Sequence, residues 1–177
     1  MKSERQAGVP APVEEVRNQL ELLARHNIKC VIIGGVAAVY HGSSEVTHDL
    51  DVCYDRSADN LSRLVVALKS VNAFLRGAPR NIPFILDAET LKKGLNFTFD
   101  TEIGNLDLLG EVRGVGQFKD VIEDSETASI FGCDFQVLSL EKLMESKRVA
   151  GREKDLRTLT ELEAIYEYRQ SGENSQS

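Results

Sequence analysis

Four consecutive apolar residues, Cys30-Val31-Ile32-Ile33, run directly into Gly34-Gly35. A continuous apolar run this short reads as a strand buried on both faces. The glycines end it, and the helix-compatible Val36-Ala37-Ala38-Val39-Tyr40 follows until Gly42-Ser43-Ser44 breaks the pattern. A buried strand that turns at once into a helix needs cover above and below. This strand-to-helix turn points to a mixed α/β protein, with helices flanking a sheet.

The remaining pattern agrees. Val13, Val16, Leu20 and Leu23 line one face of a helix expected from about Pro12 to Arg25, with Glu14 and Glu15 at its positive end. Asp49-Leu50-Asp51-Val52-Cys53-Tyr54 alternates as a strand, and a helix follows from about Asp59 through Leu61, Leu64, Val65 and Leu68. Residues 72–91 read as irregular. Asn96–Asp100 and Leu106–Leu109 read as a hairpin around Glu102-Ile103-Gly104-Asn105, and Phe135–Leu138 as a last strand. Two helices, about Leu140–Val149 and Glu153–Tyr168, close the chain around Gly151. The expectation is one domain over residues 12–168, with an α/β core to 139, a C-terminal helical pair over 140–168, and polar tails at 1–11 and 170–177. The core should hold a small mixed sheet of about five strands.

Charge narrows the partners. Lys plus Arg is 21 and Asp plus Glu is 28, a net charge of −7. That argues against a broad duplex-DNA footprint, which needs a basic surface. No apolar run is long enough to span a membrane, and the N-terminus is not signal-like. Cys30, Cys53 and Cys133 are odd in number and lie in apolar runs. They read as buried thiols of a cytoplasmic protein, not as a disulfide framework.

The chemistry-bearing residues cluster after the Gly-Gly turn. Asp49 and Asp51 stand at i and i+2 on a strand, so both carboxylates leave one face. Two carboxylates that close repel each other unless a cation lies between them, and oxygen-only ligands favour Mg²⁺ or Mn²⁺. Asp107, flanked by Leu106, Leu108 and Leu109, is the best third acid, because an acid in an apolar strand has to be paired, ligated or exposed on an open face. Acidic i/i+2 pairs arise by chance about four times in a chain of this composition. Five others do occur here, mostly in polar contexts, so spacing alone leaves a metal site and a surface pair both open. Gly34-Gly35 fits either a phosphate cradle at a helix N-terminus or a plain tight turn. It matches neither a dinucleotide fingerprint nor a P-loop. His41 and His48 flank the loop before the acids and read as packing or surface residues. The segment Glu141–Arg157 carries a net charge of +2 and reads as a solvated face or as a wall that meets phosphate.

The order Ile32-Ile33-Gly34-Gly35, thirteen intervening residues, Asp49-Leu50-Asp51-Val52, then Asp107 on a later strand resembles the polymerase-β-like nucleotidyltransferase superfamily. Small prokaryotic members of abortive-infection and toxin–antitoxin type are similar in three places. These are His41-Gly42, Thr47-His48-Asp49-Leu50-Asp51 and Lys147-Arg148-Val149-Ala150-Gly151-Arg152-Glu153-Lys154-Asp155. The resemblance covers roughly residues 15–165. It implies a nucleotidyltransferase that moves a nucleoside monophosphate from an NTP to a hydroxyl or phosphate of RNA, protein or a small molecule. Asp49, Asp51 and Asp107 would be the catalytic acids and the ligands of two Mg²⁺ (or Mn²⁺) ions. Gly34, Gly35, Thr47, Lys147, Arg152 and Lys154 would bind the nucleotide.

One departure stands out. Glu45 occupies a position where relatives often carry Arg, and no Lys or Arg lies between Gly35 and Asp49. Arg76 and Arg80 are the nearest substitutes for a triphosphate grip. The competing expectation is a non-catalytic, antitoxin-like interaction protein on the same scaffold.

Overall fold

A computed structural model describes residues 11–174. Of the expected tails, residues 1–10 and 175–177 lie outside the described range. In chain order the helices are α1 (Ala11–Arg25), α2 (Gly34–His41), α3 (Ala58–Ser70), α4 (Ala88–Lys93), α5 (Phe118–Glu123), α6 (Leu140–Ala150) and α7 (Glu153–Asn174). The strands are β1 (Cys30–Ile33), β2 (Asp49–Tyr54), β3 (Phe74–Leu75), β4 (Asn96–Thr101), β5 (Gly104–Leu109), β6 (Glu111–Val112), β7 (Gly116–Gln117), β8 (Ser125–Ile130) and β9 (Cys133–Leu138).

The main sheet has seven strands in the order β3-β4-β5-β2-β1-β9-β8, and β6 and β7 form a separate two-stranded ribbon. This corrects the expectation of about five strands. The difference comes from the two-residue β3 and from β8, a polar edge strand whose Glu126, Thr127 and Ser129 are exposed. Neither carries the apolar alternation that marks a half-buried strand. The helix expected to end near Tyr168 continues to Asn174.

β1 lies near the middle of the sheet, and all four of its residues are buried. It pairs antiparallel with β2 and parallel with β9. β2 pairs parallel with β5, which turns back antiparallel into β4. Parallel neighbours need a long crossover, and here α3, β3, α4 and β4 supply it. Leu50, Val52, Leu106, Leu108 and Phe99 are essentially inaccessible and form the centre of the core with Leu20 and Leu23 of α1 and Leu61, Leu64 and Leu68 of α3. Burying side chains of this size stabilises by about 1.5–3 kcal/mol each. Alternation then sends Asp49 and Asp51 to the opposite face.

α7 braces the loop that leads into β2. Glu161 accepts hydrogen bonds from Ser43 Oγ (2.7 Å) and Ser44 N (2.7 Å). Glu45 meets Lys154 Nζ at 3.2 Å and accepts from Thr158 Oγ1 at 3.2 Å. His41 is buried in α2 and donates from Nε2 to the Leu138 carbonyl (2.8 Å), so it ties α2 to β9 as a packing residue. Among the described residues, no helix is long and apolar enough to cross a membrane.

Candidate active site

The parallel register of β2 and β5 sets Asp51 directly beside Asp107, and Asp49 beside Asn105. Ile33, the last residue of β1, lies across from Asp51 on the other side. Three neighbouring strands thus deliver the Gly-Gly turn, the acid pair and the third acid to one end of the sheet. These residues line one cleft of about 540 Å³ with Thr47, His48, Lys147, Arg152, Lys154 and Asp155. That volume is within the usual range for a small-molecule site, about 300–1,000 Å³.

Gly34 has φ +64, and a Cβ there would overlap the Asp51 carboxylate. Gly35 has no positive φ, but its Cβ would fall 2.7 Å from Thr47 Oγ1. Both glycines are therefore required by close approach, one to the acid and one to the loop. Thr47 also donates from Oγ1 to the Asp49 carbonyl (3.1 Å), which fixes the entry of β2.

The acids are not equivalent. Burial pushes Asp51 up to about 7, and the nearby charges of Asp107 and Asp49 push the same way, while Lys147 opposes them. Burial also raises Asp107, against the opposing pull of Arg76. Arg76 is the strongest feature that sequence reasoning misplaced. Its Nη2 donates to Asp107 Oδ1 (2.9 Å) and to the Phe99 carbonyl (3.1 Å), and its Nε donates to Asp100 Oδ1 (2.8 Å). It is thus anchored to carboxylates of the hairpin rather than held out towards phosphate. Arg80 stacks over the Phe74 ring, with Cζ 4.0 Å from the centroid. Asp49 accepts from Asn105 Nδ2 at 3.0 Å.

No group of three or more ligating side chains stands ready to hold an ion among the described residues. The donor set nevertheless suits a hard divalent cation. It is all carboxylate oxygen and partly buried, and burial, with the neighbouring acids, raises Asp51 and Asp107.

The basic wall is also internally paired. Lys147 Nζ meets Asp155 Oδ1 at 3.2 Å in a buried pair, and Arg152 Nε meets Asp155 Oδ2 at 2.6 Å. Burial would raise the Asp155 carboxyl, but the hydrogen bonds from Arg152 and Lys147 outweigh it and hold the group below the usual range. Gly151 makes this convergence possible. It caps α6 in the left-handed region at φ 64 and turns the chain so that Lys147 faces the first turn of α7. Lys154 reaches Glu45, so this acid serves as a loop brace. Sequence reasoning passed over Arg113, Ser146 and Asn96, which also line the cleft. Arg113 sits in a short ribbon whose two-residue strands carry no readable periodicity.

The fold is similar to that of a solved nucleotidyltransferase. The lincosamide antibiotic adenylyltransferase LnuA, solved with lincomycin bound, matches with a TM-score of 0.56 at 16% identity, over 85% of this chain and 96% of that one. The antibiotic-resistance factor ANT(2'')-Ia matches with a TM-score of 0.48 at 14% identity, over 93% and 95%. An antigenic nucleotidyltransferase-like protein from Paracoccidioides brasiliensis gives 0.45 at 18% identity, over 86% and 74%. No family model and no curated protein sequence matches the chain. The likeness to LnuA is one of fold.

Proposed function

We propose that this protein transfers a nucleoside monophosphate from an NTP to an acceptor hydroxyl, with divalent metal dependence. The single observation that carries this reading is the β2–β5 register, which sets Asp51 beside Asp107 and both at the Gly34-Gly35 turn. Asp49, Asp51 and Asp107 are the residues that would hold Mg²⁺ or Mn²⁺. Bound there, the ions supply charge neutralisation for the carboxylates and for the phosphates.

The chain's own groups account for the rest. The N-terminus of α2 at Gly34-Gly35 presents backbone N–H groups to an anion, with no Cβ in the way. The cleft walls orient the α-phosphorus towards the acceptor, which is the main contribution a protein makes to phosphoryl-type transfer. The acceptor oxygen bonds to the α-phosphorus as the bond to the bridging oxygen breaks. Pyrophosphate leaves, and a carboxylate of the acid set, Asp107 on β5 beside Asp51, takes the hydroxyl proton. Lys147, Arg152 and Lys154 line one wall, each paired with an acid.

Their pairing with acids favours a small hydroxylated acceptor over a long RNA, which would need free cations along its path. An abortive-infection or toxin–antitoxin setting is the narrower form of this proposal. It rests on the Thr47–Asp51 and Lys147–Asp155 motifs.

The test is label transfer from each of the four α-labelled NTPs with Mg²⁺. The acceptor panel contains a lincosamide, an RNA 3′ end and the protein itself. Wild type should label one acceptor class, and Asp49→Ala/Asp51→Ala should lose labelling at least about 10³-fold. Equal labelling by both forms would refute the proposal.

A further inference from the structure

The sequence offers no cation between the Gly-Gly turn and the acid pair, and the structure ties up the obvious replacements. Arg76 belongs to Asp100 and Asp107, and Arg80 stacks on Phe74. On the cleft wall, Lys147 and Arg152 belong to Asp155, and Lys154 to Glu45. A polyphosphate brings about four negative charges, and such charge in a cleft needs donors that are not already committed.

Arg113 is different. It lines the same cleft as Gly34, Gly35, Asp49, Asp51 and Asp107. It is exposed and, among the described residues, makes no hydrogen bond or ion pair. Its backbone, by contrast, is fixed on both sides. Val112 before it is buried, and Val115 N closes the turn on the Val112 carbonyl at 3.0 Å. Gly114 after it has φ +79 and is pressed so closely on α6 that a Cβ would fall 2.9 Å from Val149 Cγ2 and 3.4 Å from the Glu145 carbonyl. The ribbon is stitched to α5 as well, since Asp120 accepts from Gln117 N (3.0 Å) in a capping box. A guanidinium with five donors thus stands on a rigid mount at the acid cleft, with no partner among the described residues.

We propose that Arg113 is the residue that grips the β- and γ-phosphates of the incoming nucleotide. The α-phosphate has to lie at the acids, so the rest of the polyphosphate extends along the cleft wall. Among the described residues, the one uncommitted fork-shaped donor on that wall is Arg113. When the bond between the α-phosphorus and the bridging oxygen breaks, the new charge appears on the pyrophosphate that Arg113 holds. The assignment rests on the nucleotidyltransferase reading of the site.

The experiment is calorimetry on the full chain with Mg²⁺, using each of the four NTPs, the matching NMPs and inorganic tripolyphosphate. The variants are Arg113→Ala, Arg113→Lys and, as a charge control outside the cleft, Lys119→Ala. Removing a charge-assisted contact of this kind should weaken NTP and tripolyphosphate binding by about 10–100-fold. NMP binding should stay within about twofold of wild type. Arg113→Lys should recover part of the loss, Lys119→Ala should change nothing, and the exposed position predicts an unchanged melting temperature. NTP affinity unchanged in Arg113→Ala would overturn the assignment, as would equal losses for NTP and NMP, which would mark a collapsed wall. If wild type binds tripolyphosphate through Arg113 but none of the NTPs, the nucleotidyltransferase reading fails and Arg113 remains only an anion site. Wild type that binds neither overturns both.

Discussion

Asp51 shows how one carboxyl carries the logic of the site. Burial raises it to about 7, with Asp107 and Asp49 adding to the effect. Its ordinary value is 3.8, so the folded protein holds the proton more tightly than the unfolded chain does. Stability from this group is therefore full below about pH 4 and is lost as pH rises towards 7. In EDTA, the melting temperature should fall across that window and level off above it, after allowance for the other carboxyls. Mg²⁺ should restore most of the loss at pH 7.5. A flat profile in EDTA, with no response to Mg²⁺, would contradict the placement of the acids.

Arg76 supplies the complementary test. Its guanidinium neutralises part of the cluster, so Arg76→Ala should destabilise the metal-free protein by about 1–3 kcal/mol. Since the vacancy leaves Asp107 to other cations, the same variant should bind Mn²⁺ more tightly than wild type, as measured by paramagnetic relaxation. Weaker Mn²⁺ binding would show that Arg76 is needed to shape the ligand set. The acids themselves were legible from their spacing and their apolar flanks. The partner of Arg76 was not, because β3 pairs with β4 in only two positions and has no pattern of its own.

Among the elements, α7 has a role out of proportion to its distance from the acids. It holds Ser43, Ser44 and Glu45 through Glu161, Thr158 and Lys154, and that loop leads into β2. Glu161→Ala should leave α7 folded but release the loop. The Ser44 amide should exchange with solvent measurably faster, and label transfer should fall while Asp51 stays in place. Unchanged exchange at Ser44 would remove the brace from the account.

The helices α1, α2, α3, α6 and α7 and the strands β1, β2, β4, β5 and β9 could be read from their apolar pattern and punctuation. α4, α5, β3, the β6–β7 ribbon and β8 escaped because they are short or polar. Their places come from what they pair with rather than from their own residues. Gly34-Gly35 was legible as a turn. That α2 begins at Gly34 itself, with Gly34 against Asp51, is a tertiary fact.

At the scale of the whole molecule, the net charge of −7 divides into committed and uncommitted parts. The segment Glu141–Arg157 looks basic in sequence, yet Lys142, Lys147, Arg148 and Arg152 all face acids in the fold. Its apparent positive face is thus largely internal wiring of the helical pair. The register of β2 on β5 has a further consequence, which concerns time. Asp51 and Asp107 are brought together by a parallel pairing across a crossover that spans residues 55–103. Loop closure on that scale makes such pairing slow relative to hairpins and helices. The hairpin of β4 and β5 should be in place before the acids ever meet. In stopped-flow refolding with Mn²⁺ present, the metal signal should therefore appear only with the last folding phase, well after most helicity. A metal signal in the earliest phase would mean that Asp49 and Asp51 bind alone. Otherwise a nascent or damaged chain has no assembled acid cluster until the sheet has closed.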